Sequence, residues 1–113
     1  MKLVTGTLPF DELKQMASAT FGDMVKAVVD VERGIMALDA ELHADLESLL
    51  LEDGSRQKDL WGINLYPDAP GDAFIQYDSM INMRPSQGNR SRGVDNVAIR
   101  KKIAEIVSGK IGR

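Results

Sequence analysis

The stretch RPSQGNRSRGVDN, residues 84–96, gathers three arginines with Gln87, Asn89 and two glycines, and has no carboxylate before Asp95. Arginine presents a planar fork of donors that fits phosphate and carboxylate oxygens, side-chain amides add further donors, and glycine lets a ligand approach the backbone. A loop lying between a strand and a helix adds the first, unpartnered N–H groups of that helix. Arg84, Gln87, Gly88, Asn89, Arg90, Ser91, Arg92 and Gly93 are therefore the candidate ligand-binding residues, and the expected ligand is a small phosphorylated or carboxylated molecule. The segment GNRSRG has the G-x-x-x-x-G spacing of a nucleotide-binding loop. Val94 and Asp95 follow it where Lys and Ser or Thr are required, so nucleoside-triphosphate hydrolysis is excluded. Two further readings use the same residues: a solvated turn whose arginines pair with acidic residues of the same chain, and a surface that docks on the carboxylates of a protein partner, a second copy included.

In ELHADLE, Glu41 and Asp45, and separately His43 and Glu47, stand four apart, so each pair shares a helical face. His43 and Glu47 are the candidate acid-base or metal pair, with a third ligand required from elsewhere. Against this stands a boundary histidine that pairs with Glu47 and does no chemistry. There is no cysteine and only this one histidine, which rules out disulfides, thiolate zinc sites, cysteine nucleophiles and multi-histidine centres. No H-E-x-x-H and no G-x-S-x-G occurs, so zinc-peptidase and serine-hydrolase signatures are missing, and no cofactor is expected. LWGINLYP alternates Trp61, Ile63 and Leu65 against Gly62, Asn64 and Tyr66, so Trp61 reads as a packed strand residue, with a ligand role for Trp61 or Tyr66 as the lesser reading.

The formal net charge of -3 hides an asymmetry. Residues 1–83 carry six basic and fifteen acidic side chains, net -9, and residues 84–113 carry eight basic and two acidic, net +6. The basic third includes Arg100, Lys101 and Lys102 and makes RNA or DNA the alternative partner. Yet sequence-tolerant single-strand binders stack bases on aromatic rings, and no aromatic residue follows Tyr77.

These residues need elements to hold them. KLVT at 2–5 reads as an edge strand. Phe10, Leu13, Met16, Ala17 and Phe21 recur at helical spacing and predict a first helix over 9–20 with Pro9 at its first position. Val25, Ala27, Val29 and Val31 alternate with polar residues, as in a half-buried strand, and Gly34 turns it into a second strand over 35–38. Leu42, Leu46, Leu49 and Leu50 line a second helix capped by Asp39 and ended by Gly54. LWGINLYP and AFIQYDSMINMR form a hairpin, the latter with Ile75, Tyr77, Ile81 and Met83 inward and Gln76, Asp78, Asn82 and Arg84 outward. Ile99, Ile103, Ile106 and Val107 mark a third helix capped by Asp95.

The expected fold is one α+β domain over 1–113, in the order β-α-β-β-α-β-β-α, with a largely antiparallel sheet and three helices packed on one face. Usage of 43% hydrophobic and 27% charged residues is that of a globular chain. MKLVTGTLPFDE turns polar too early for a signal-peptide core, and no stretch reaches the roughly 18 apolar residues of a membrane helix, so a cytoplasmic protein is expected. In the order of its blocks FGDMVKAVVDVE, ELHADLE, LWGINLYP and RPSQGNRSRGV, the chain resembles a small prokaryotic family of uncharacterised proteins, a domain of unknown function. That resemblance implies a stand-alone domain and carries over no reaction, cofactor or catalytic residue.

Overall fold

The computed structural model describes residues 1–112. Its elements run β1 (Lys2–Val4), β2 (Leu8–Pro9), α1 (Phe10–Ala19), β3 (Val25–Asp30), β4 (Ile35–Leu38), α2 (His43–Glu52), β5 (Leu60–Leu65), β6 (Ile75–Gln76), α3 (Val97–Lys110) and β7 (Ile111–Gly112). Strands order as β1-β4-β3-β5-β6 in one sheet, every pairing antiparallel, and β2 pairs β7 in parallel beside it. The α+β class holds. Two two-residue strands, β2 and β7, were not expected.

The expectation of three helices on one face is corrected. Leu13 and Ala17 of α1 and Ile103 and Val107 of α3 pack with Val25, Ala27, Val29, Met36, Leu38, Trp61, Ile63 and Leu65. Leu46 and Leu50 of α2 pack with Val28, Ile35, Ala37 and Leu60, whose side chains leave the same strands on the opposite side. The domain therefore has three layers, and β4 and β5 are buried along their whole length. β3 is not half-buried as its alternation suggests: Val28 is fully buried because α2 covers the side assigned to solvent. Removing each fully buried leucine from water contributes about 1.5–3 kcal/mol.

Local chemistry fixes the connections. Between β3 and β4 the Asp30 carboxylate accepts from the Glu32 and Arg33 N–H groups while Gly34, at φ +67, completes the turn. Pro9 is the N-cap of α1 and not its first helical residue. Leu42 takes the N-cap of α2 without a side-chain bond; Asp39, three residues earlier, sits instead at φ +74 and does not cap the helix. Lys110 donates to the Thr5 carbonyl at 2.6 Å and joins the β2–β7 pairing in anchoring the end of α3.

The long final strand of the sequence reading is also corrected. β6 pairs with β5 only through Asn64↔Gln76 and Leu65↔Ile75, after which the chain leaves the sheet in two short 3-10 turns, Met80–Asn82 and Pro85–Gln87. Asn82, expected outward, is wholly buried, and Met83, expected inward, is exposed.

Candidate functional site

Where β6 stops, the backbone of β5 is left without a neighbouring strand, and side chains take the strand's place. The Asn82 amide accepts from the Gly62 N–H at 2.8 Å and donates to the Gly62 carbonyl at 2.9 Å, imitating both bonds of a ladder pair. His43 Nε2 lies 2.8 Å from the Ile63 carbonyl, and Arg84 donates to the Leu60 and Gln57 carbonyls with its guanidinium over the Trp61 ring, 4.3 Å from the centroid. Gly62 is required beneath this cover: a Cβ there would lie 2.5 Å from Ser79 Cβ and 2.6 Å from its Oγ.

The arginine-rich loop is built around Asn89. Its Nδ2 donates to the carbonyls of Asn82, Ser91 and Gly93, and its Oδ1 accepts from the Asp95 N–H. Asp95 is not the helix cap; its carboxylate accepts from the Arg90 N–H and the Ser91 hydroxyl, and the Ser91 bond is the main reason its pKa is lowered. Asn96 caps α3 in its place, accepting from Ala98 and Ile99, so those helix N–H groups are already satisfied. Arg92 pairs with Asp78 at 2.6 Å, and Gln87 donates to the Lys58 carbonyl at 3.4 Å. Gly88 ends a 3-10 turn at φ +82 and a Cβ at Gly93 would lie 3.2 Å from the Tyr77 carbonyl oxygen, so both glycines serve the loop's own path. Of the three arginines, only Arg90 has no side-chain partner among the described residues. The donors thought to converge on a ligand are largely bonded within the chain, because the loop must saturate the open edge of β5.

The second candidate set meets the first at this edge. His43 is nearly buried, and burial is the main cause that lowers its pKa below 6.5, so the ring is neutral at pH 7; Lys26, Asp78 and Arg92 are close enough for their charges to act on it. Facing a carbonyl, Nε2 must carry the proton, which leaves Nδ1 as the basic nitrogen. The expected His43–Glu47 pairing does not form; the ring bonds to Ile63 because it turns under α2 toward the sheet. Glu47 instead acts on Arg84 through its charge. No third side chain joins His43 and Glu47 as a metal set among the described residues.

A sizeable cavity lies elsewhere, between the sheet edge and α3, on the side of the sheet opposite α2. It is an open groove of about 950 Å³. Asp72, Phe74, Ile75 and Tyr77 form one wall, and Val97, Arg100, Lys101, Ala104, Val107, Ser108 and Ile111 the other. It exists because β6 is only two residues long while α3, held by Ile103 and Val107 on the core, continues past it. The Tyr77 hydroxyl donates to the Arg100 carbonyl at 3.2 Å and ties the walls together; burial raises the phenol's pKa. Arg100 and Lys101 are exposed and make no ion pair among the described residues. Sequence reading placed both on α3 but missed the groove, whose signal is the second stripe Val97, Ala104 and Ile111 beside the core stripe.

No helix among the described residues is long and apolar enough to cross a membrane. No curated protein and no solved structure matches the chain. Residues 2–110, nearly the whole sequence, match a family described as protein of unknown function, DUF5674. With every block that shapes the β5 edge and nearly all of the groove inside the matched span, the chain belongs to the DUF5674 family.

Proposed function

We propose that this protein binds a small organic anion with an apolar body in the groove beside α3. The observation that carries the reading is an apolar lining, Phe74, Ile75, Ala104, Val107 and Ile111, with two exposed cations, Arg100 and Lys101, on the α3 wall against a single carboxylate, Asp72, on the other. A ligand pocket is typically a cleft of this order of size, mostly apolar, with few polar groups that fix orientation. The loop at 84–93 contributes by holding Tyr77 and the start of α3, through Gly93 against the Tyr77 carbonyl and Asn89 bonded to the Asp95 N–H. Carboxylate or phosphate remains the favoured acidic group, and its site moves from the loop to the helix.

Anilinonaphthalene sulfonate, a fluorescent amphipathic anion, tests this directly. Saturable binding by the folded protein that is lost in Arg100→Gln/Lys101→Gln, with the thermal midpoint unchanged, supports the reading. Unchanged binding in that variant contradicts it.

A further inference from the structure

The groove's shape narrows the ligand class. Resting on the groove reading above, we infer that the occupant is a single unbranched acyl chain with an anionic head, laid along α3 with the head at Arg100 and Lys101. The lining residues of α3, at 97, 100, 101, 104, 107 and 108, follow the i, i+3, i+4, i+7 spacing of one helical face, and Ile111 of β7 continues it. They therefore run the whole length of a 14-residue helix, about 20 Å at 1.5 Å per residue. A compact ring would occupy a fraction of that length; an extended chain fills it.

Along the α3 wall, charge is placed at one end only. Arg100 and Lys101 sit in the first half of α3, where Tyr77 bridges the walls, and from Ala104 to Ile111 the lining residues of this wall are uncharged. The opposite wall supplies Phe74 and Ile75, with Asp72 as its one carboxylate. Val97, 68% exposed, extends the apolar surface past the basic pair, which places the cations over the groove and not at its outermost tip. A carboxylate or phosphate head pairs with the guanidinium and ammonium groups while the methylenes lie on the stripe, an arrangement in which each added methylene removes further apolar surface from water.

A homologous series of linear carboxylates, hexanoate through hexadecanoate, competing with anilinonaphthalene sulfonate below their micelle concentrations, reads this out. Affinity is expected to rise roughly two- to fourfold per methylene, the upper limit being full burial of each group, and to level off once the chain outruns the groove. Ala104→Leu, and separately Ala104→Trp, should bring the plateau to a shorter chain. Arg100→Gln/Lys101→Gln should weaken dodecanoate about tenfold, through the lost charge-assisted hydrogen bonds to its carboxylate, and leave dodecanol nearly unchanged. Affinity independent of chain length while the fluorophore still binds overturns the acyl-chain inference and leaves the groove reading standing. Failure of both the fluorophore and the carboxylates to bind overturns both.

Discussion

Two basic regions of this molecule, only a few residues apart in sequence, put the same chemistry to opposite uses. In the loop after β6, Arg84 is spent on two backbone carbonyls and the Trp61 ring, and Arg92 on Asp78. On α3, Arg100 and Lys101 face a groove and pair with nothing described. The difference arises from what lies beneath. The loop covers strand backbone that has lost its neighbour and must be hydrogen-bonded, whereas α3 already satisfies its own backbone and leaves its side chains free. A cluster of arginines thus marks a deficit of acceptors or donors, and only the fold tells whether that deficit is internal.

If the loop is structural and the groove is not, substitutions should separate into those that cost stability and those that cost binding. Gly62→Ala carries the largest expected effect, because its Cβ would overlap Ser79 between sheet and loop; overpacking costs about 1–3 kcal/mol, and an overlap with side chain on both sides puts this one at about 3 kcal/mol, readable by urea unfolding. Asn82→Ala comes next. It strands the Gly62 N–H and carbonyl and releases the Arg92 carbonyl, at about 2–3 kcal/mol for buried groups left unpaired.

His43 gives a smaller, pH-dependent effect. Its pKa in the folded protein is lowered from 6.5, chiefly by burial, so the unfolded chain takes up its proton first on acidification. The neutral ring's contribution is complete above about pH 6.5 and is lost as pH falls from there through the folded value. The stability difference between wild type and His43→Gln should therefore shrink below pH 6.5; a difference constant from pH 8 to 5 would show that the ring is not held neutral. Arg92→Gln closes the series. Both partners of its ion pair are substantially exposed, so the expected cost is within about 1 kcal/mol, and a larger loss would mean that the pair organises the loop.

Much of the scaffold was legible in the sequence. The alternation of Val25, Ala27 and Val29, the Gly34 turn and the leucine stripe of α2 gave the central hairpin and its covering helix. What misled was treating the alternation as complete: Val28 is apolar at a position assigned to solvent, and LWGINL is buried at every residue, as in strands covered on both sides. The loop residues were found but their targets were not, because a side chain replacing a strand, as Asn82 does at Gly62, depends on contacts twenty residues apart that no local pattern encodes. Asn96 was missed as the helix cap because Asp95 beside it satisfies the same local preference.

Whether the ligand's charge is met at α3 or at the loop is decided by titrating anilinonaphthalene sulfonate into two double variants side by side. Arg100→Gln/Lys101→Gln should lose binding while Arg90→Gln/Arg92→Gln binds as the wild type does. Loss of binding in the loop variant with retention in the helix variant would return the anion site to the loop.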